Sequence, residues 1–529
     1  MRREQGEETL GMGEAENLLG EDVEAYRMEG EPKLTAPTVE PAKRVKPIDR
    51  SQSFWGAIDI EKLIDKDHPA RGIWAMVCRL DLRRIEEKIK AVEGRAGQSS
   101  FDPRLLMALW IYAYSEGVGS ARELSRMCEY EPGCQWLAGM QQVNHHALSD
   151  FRGEHKDELD GIFVQVLGLL SAEGFVEMKR IAHDGTKIKA QAASSSFRRE
   201  DRIREHLDLA RQQVETMVSA DSEELTQRAI QARNRASRDK QQRLEQALKE
   251  LEQLQHVRTA SEKDQVRVSE TDPEARVMKQ ANGGFAPSYN VQISTDAANG
   301  IIVGVDITQA GNDCDQLVNA VDRVEANTGQ TPEQVLVDGG YTMKNSNIEA
   351  MAERGIDLNG PVVENNSSAS FKQRGIQPEF YPDKFRHDEA TDTLICPADK
   401  TLKLRQTRQC EGRIEHTYRA SPTDCQQCAF KDQCCSKASP RMVVRKQDSP
   451  AVAAFKAKMQ SDDAKQLYRS RAQIAEFPNA WIKDKLGLRQ FRLRGRQKVR
   501  AEAVWACLTY NIQQWLRLSW RLNLEVAVA

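Results

Sequence analysis

The tightest constraint in this chain is a matched pair of short apolar runs, each delivering an aspartate followed by glycine. The first is Arg180–Lys189, with Asp184, Gly185 and Thr186 at its centre. The second is the run from Gln334 through Asp338, Gly339 and Gly340 to Tyr341. Both read as strands, being short, rich in Ile and Val, and closed by turn residues. A fold that accommodates them must bring two carboxylates from distant parts of the chain onto one sheet. Metal-dependent phosphoryl transfer uses such an arrangement: two Mg²⁺ ions about 3.5–4 Å apart activate the attacking oxygen and stabilise the leaving one. Mg²⁺ takes oxygen ligands and keeps room for water and phosphate, so about three carboxylates suffice.

The third acid is expected on a late helix packed against that sheet, and Glu476 is the candidate. Arg469, Glu476 and Lys483 are spaced seven apart, which on a helix keeps them on one face within about 20° per step. That face offers one ligand between two cations. Pro478 is expected to kink or interrupt this helix.

The elements between these acids come in a recognisable order. Residues 289–296 alternate apolar and polar, Ala297 to Gly300 make a tight turn, and residues 301–308 return, so the pair reads as a hairpin. A helix near 313–326, a strand over 335–337 and a helix over 346–354 come next. Strand, hairpin, helix, strand, helix is the order of a ribonuclease-H-like α/β core.

The flanking parts divide by composition. Residues 1–45 are Glu-rich and read as an acidic disordered tail. Residues 46–175 read as a helical domain. Asp102-Pro103 is a helix start opening 104–116, Ser120 with Glu123 makes a capping box for 121–129, and a third helix lies near 146–155. This spacing is compatible with a helix-turn-helix DNA reader, Arg152 facing the DNA, and with an ordinary three-helix bundle. Residues 176–369 hold the first part of the core, interrupted at 199–268 by a helical hairpin turning near Ser219 to Ser222. Residues 370–450 form an insertion with most of the cysteines, and 451–529 return as basic C-terminal helices.

Charge obeys the same division. The net charge of −3 conceals an acidic head, with four basic and eleven acidic residues in 1–41, and a basic end, with nineteen Lys and Arg against seven Asp and Glu from Lys437 onward. A phosphate-rich partner suits the basic part. Arg492, Arg494, Arg496 and Lys498 would track a DNA backbone, with a contribution that falls steeply with salt. No apolar run approaches the ~20 residues that span a bilayer, and the start of the chain has no signal-peptide core. A cytoplasmic, nucleoid-associated protein is expected. Eleven cysteines in such a setting are thiols or metal ligands. Cys396, Cys425, Cys428 and Cys434 can make a tetrahedral zinc site, or can be plain reduced thiols.

Taken together, these motifs make the chain from about residue 50 to 520 resemble the DDE-type transposases of bacterial insertion sequences, in the group with a Tyr-Arg-Glu-Lys signature near the C-terminus. The resemblance rests on Leu148-Ser149-Asp150-Phe151-Arg152, Asp184 to Lys187, Ser288 to Gln292, Val337 to Tyr341, Tyr468 to Lys483, Arg494-Gly495 and Asn511. Asn479-Ala480-Trp481 stands where a Phe-Gly-like pair is expected. The resemblance implies Asp184, Asp338 and Glu476 as the catalytic, metal-binding triad for two Mg²⁺ or Mn²⁺ ions. It also implies Tyr468, Arg471 and Lys483 as signature residues that contact DNA, with Arg469, Arg471 and Lys483 neutralising its phosphates. It further implies double-stranded DNA, as terminal inverted repeats and target, for the partner, and a homodimer that pairs two ends. A catalytically inactive DNA-binding regulator and a hydrolytic nuclease of the same fold are the alternatives.

Overall fold

The computed structural model describes residues 57–89, 91, 99–219, 227–363, 368–410, 413–435, 439–521 and 523. The chain divides into two units, Met1–Ala57 and Ile58–Ala529, and every helix and strand named here belongs to the second. The expected acidic tail, and most of the expected hairpin turn near Ser219, lie outside the described residues.

The helical part starts where its capping residues say it should. α1 (Pro69–Val77) is capped by His68. In α2 (Pro103–Ser115) the Asp102 carboxylate accepts from Arg104 N at 2.7 Å, which satisfies one of the orphan donors of the first turn. α2 is buried from Leu105 through Tyr114, as befits a helix that is apolar on all sides. α3 (Ala121–Tyr130) begins at Ser120, whose hydroxyl accepts from Glu123 N. Between it and the third expected helix stands one that the sequence did not announce, α4 (Pro132–Ala138). α5 (His145–Glu154) and α6 (Leu159–Ala172) complete this part.

The main sheet is mixed. Its strands are β1 (Arg180–Lys189), β2 (Arg276–Lys279), β3 (Phe285–Asp296), β4 (Ile302–Thr308), β5 (Gln334–Leu336) and β6 (Asp357–Asn359). The order is β2-β3-β1-β5-β6, with β4 also paired to β3. β3 is long enough to pair β2 through its first half and β4 through its second. β1 runs antiparallel to β3 and parallel to β5. β3 alternates apolar and polar residues, yet Pro287 to Asp296 are all buried. Its polar residues Asn290, Gln292 and Ser294 stay inside because each has a side-chain hydrogen-bond partner. α9 (Leu317–Thr328) and α10 (Asn345–Glu353) flank the sheet.

The 199–268 insertion is the expected pair of long helices, α7 (Glu200–Ser219) and α8 (Gln227–His256). Ile203, Leu207 and Ala210 pack against Leu244, Ala247 and Leu251. The Cys-rich insertion holds an antiparallel five-stranded sheet: β7 (Arg386–Asp388), β8 (Thr393–Ile395), β9 (Thr401–Cys410), β10 (Arg413–Ala420) and β11 (Met442–Asp448), in that spatial order.

The chain ends in α11 (Pro450–Lys458), α12 (Asp462–Arg469), α13 (Arg471–Asp484) and α14 (Arg496–Trp515). α14 packs on α2, α6 and β4, so the helical part and the sheet share one core. Pro478, expected to kink or interrupt this helix, does not interrupt it: α13 runs through it. Ala475, Pro478, Asn479 and Ile482 form its buried face, so the ring sits in the stripe that packs inward and costs the helix one backbone donor. No described helix is long and apolar enough to cross a membrane.

Candidate active site

Parallel pairing fixes the first two acids. β1 and β5 are in register from Arg180 opposite Gln334 to Ala182 opposite Leu336. Two further residues along each chain are Asp184, still within β1, and Asp338, two residues past the end of β5, and the two carboxylates come near enough for Asp338 to raise the pKa of Asp184. α13 crosses above β1 and β3, with Ala475 and Ile474 seated on Ala182 and Leu336.

That helix supplies the partners of Asp184. Arg471 Nη2 donates to its Oδ1 at 2.8 Å and Asn479 Nδ2 to its Oδ2 at 3.0 Å. The Arg471 guanidinium also reaches Glu476, Nη1 to Oε1 at 3.8 Å. One cation therefore spans an acid of the sheet and the acid of the helix. Glu476 stands at the rim, its side chain 65% exposed, because it lies off the buried stripe of α13. Asp338 Oδ1 accepts from Gly340 N at 2.9 Å and caps the short helix Gly339–Thr342.

A fourth acid belongs to this group and was not expected there. Asp313 precedes α9, and its Oδ1 accepts from Asn290 Nδ2 and Gln292 Nε2, both at 2.7 Å. The sequence pattern places Asp313 at the start of a helix. The only hint of another role was the polar series on β3, which a plain hairpin leaves unexplained. Gln292 Oε1 in turn accepts from Tyr341 OH at 2.7 Å and meets His183 Nε2 at 2.9 Å. His183 Nδ1 lies 2.8 Å from Ser294 Oγ. We assign the proton to Nε2, since Oε1 can only accept, and Nδ1 accepts from the hydroxyl. Burial pushes the His183 imidazole down to about 4, consistent with a neutral ring. These contacts explain Gly185: a Cβ there would collide with Asp313 Oδ1 and lie 2.5 Å from Gln292 Nε2. The glycine is needed for close approach, with no unusual backbone angle.

The electrostatics come from crowding acids in a half-buried place. Asp184 is pushed up to about 6, by burial first and by Asp338 and Asp313 beside it, with Arg471 opposing. Burial, then the same three aspartates, hold the Tyr341 hydroxyl well above its ordinary range. Lys483 is pulled below the usual lysine range by burial, against the attraction of Asp184 and Asp484. Tyr468 is half-buried and faces Arg471, Asp338, Asp184 and Glu476.

A site with this much negative charge calls for a cation. Its donors are carboxylates, joined by two buried amide oxygens without partners, Asn290 Oδ1 and Asn479 Oδ1. Hard oxygen donors of this kind fit Mg²⁺ or Mn²⁺. Among the described residues no three acids, histidines or cysteines already stand together as ligands of one ion; at Asp184 the charge is met by Arg471.

The expected DNA-facing residues separate into two groups. Arg469, Arg492, Arg494, Arg496 and Lys498 are exposed. Arg152 is not: it is 6% exposed, donates to Gly119 O at 2.8 Å and Tyr114 OH at 3.2 Å, and lies over the Trp110 ring. Its helix turns it into the core, where it faces the buried Glu502, so the expectation that Arg152 touches DNA is corrected. Arg500, at the end of the basic run, is paired with Asp160 and Asp306.

Comparison with known families bears on both the helical part and the site. Residues 395–516 match the transposase DDE domain family, and residues 58–154 match the transposase domain family DUF772. Both are transposase families, and together they support a DDE-type transposase of insertion sequences. No curated protein matches the chain. The two matched segments take in α1 to α5, the Cys-rich sheet from β9 onward, and α13 with Glu476. Asp184, Asp313 and Asp338 lie between them.

Proposed function

We propose that this transposase cleaves the ends of its element and joins them to target DNA by metal-dependent phosphoryl transfer, on a ribonuclease-H-like core. What supports this reading most is the parallel pairing of β1 and β5, after which Asp184 and Asp338 lie close enough to repel, beneath the helix that carries Glu476. In this reading Asp184, Asp338 and Glu476 would hold two Mg²⁺ or Mn²⁺ ions. When bound, such ions activate an oxygen nucleophile and stabilise the leaving oxygen.

The chain's own residues do the rest. Asp313, fixed by Asn290 and Gln292, keeps Gln292 oriented and adds negative charge behind Asp184. Arg471 neutralises Asp184 until substrate and cations enter, and then turns to a phosphate oxygen. Tyr468 and Lys483 flank the reacting phosphate, and Arg469, Arg492, Arg494, Arg496 and Lys498 track the backbone on either side. The partner is double-stranded DNA, as terminal inverted repeats and target. The helices of residues 46–175 contribute to end recognition through exposed residues other than Arg152. Two ends have to be held together, which a homodimer does. The site of action is the cytoplasm, at the nucleoid.

The test is to incubate the full chain with DNA carrying the element's end and Mg²⁺ or Mn²⁺, then to map nicks and joints. The expected result is a nick at the element boundary and then joining of the freed 3′ end to a second duplex. Cutting without joining would make the protein a hydrolytic nuclease. Binding without cutting would make it a regulator.

A further inference from the structure

The Cys-rich insertion carries a problem of stability. Its five-stranded sheet has a core of six buried side chains: Phe385, Leu394, Leu402, Tyr418, Ala420 and Val443. Most of β9 is exposed. A sheet with so small a core ordinarily needs a staple.

The cysteines lie where a staple would go. A cavity of about 30 Å³ is ringed by Cys396, Cys425, Cys428, Cys434 and Cys435, large enough for one small occupant. They come from two places: Cys396 from the turn after β8, and the others from the segment holding the short helices Pro422–Gln426 and Lys431–Cys434. Two backbone donors already point at sulfur. Lys400 N donates to Cys396 Sγ at 3.3 Å, and Arg441 N to Cys425 Sγ at 3.4 Å. Hydrogen bonds of this kind orient and stabilise metal-bound thiolates. Cys435 behaves differently, with its Sγ donating to Ser439 O. The Arg441 guanidinium, buried beside the cavity, faces Cys425, Cys434 and Cys435. It forms no ion pair with a carboxylate among the described residues. A buried cation without an anion is costly, and a zinc ion with four thiolates, doubly negative overall, would supply one.

We propose that Cys396, Cys425, Cys428 and Cys434, gathered around this cavity, form a structural zinc site that ties the turn after β8 to the helical segment before β11. Cys435 stands outside the ligand set. No three of these thiols yet stand at ligand distance of one point, so binding turns side chains inward while the backbone stays in place.

The experiment is metal analysis of the full chain purified under reducing conditions, with Co²⁺ exchanged for the native ion in a second sample. The expected result is one zinc per chain, released by a thiol-blocking reagent, and a cobalt spectrum of tetrahedral tetrathiolate type. Cys396→Ser and Cys428→Ser should each reduce the metal content at least tenfold, and Cys435→Ser should leave it unchanged. Because a serine variant can fail to fold, the wild-type cobalt spectrum stands as an independent readout. A wild-type chain without zinc and without that spectrum, with thiols that all titrate freely or pair as disulfides, overturns the proposal. So does full zinc in Cys428→Ser, or its loss in Cys435→Ser.

Discussion

Asp184→Asn and Asp338→Asn are each expected to lower strand transfer by at least about 10³-fold while leaving DNA affinity unchanged. An amide keeps the shape of the carboxylate and removes its charge. A cation held by two or three acids contributes several kcal/mol to the transition state, and every 1.36 kcal/mol lost is a factor of ten in rate. The fold should survive in both variants. At Asp184 the buried charge is disfavoured, as its upward shift to about 6 records, and Arg471 keeps its contact with Glu476. Asp338 retains its capping role as asparagine, which accepts from Gly340 N equally well. A gel-shift titration beside a strand-transfer assay separates the two quantities. Transfer within tenfold of wild type in either variant would remove that acid from the chemistry.

Arg152→Met is expected to destabilise the protein by about 3 kcal/mol and to leave DNA contacts unaltered in the fraction that folds. The side chain bonds Gly119 O and Tyr114 OH and covers the Trp110 ring. It is also the positive charge that most favours ionised Glu502, which is fully buried and otherwise accepts from Arg492 N and Leu493 N. Methionine fills much of the volume but leaves that acid without this cation, and an uncompensated buried charge costs about 3–5 kcal/mol. Urea denaturation measures the change. A surface arginine contacting DNA would instead give a stability change within about 0.5 kcal/mol and a weaker complex.

The contrast between Asp184 and Arg152 shows what could be read from sequence. β1 was legible over its full length, and so were the starts of α2 and α3, because an apolar run and a capping side chain are local signals. Asp184 and Asp338 could be singled out because each follows a short apolar run, Asp184 within β1 and Asp338 two residues past the end of β5. Arg152 was misplaced because periodicity says which residues share a helix face, while only α2 and α14 determine that this face is inward. Asp313 was missed for the same reason: its partners Asn290 and Gln292 are contributed by another strand, and an aspartate ahead of a helix looks like a cap. Pro478 was expected to kink or interrupt its helix on intrinsic preference, and the interruption does not occur because its neighbours pack on Ala182 and Leu336. The sheet of the Cys-rich insertion left little trace because its longest strand, β9, is polar at most positions and has no buried face to set a period.

The most direct test replaces a proposed ligand by one with a different metal preference. In Asp338→Cys the thiolate is a poor ligand for Mg²⁺ and a better one for the softer Mn²⁺. Strand transfer by this variant should be undetectable with Mg²⁺ and recover measurably with Mn²⁺, while Asp338→Asn stays inactive with both. Equal activity of Asp338→Cys and wild type in Mg²⁺, or a failure of Mn²⁺ to restore any transfer in a folded, DNA-binding variant, would contradict a cation held at Asp338.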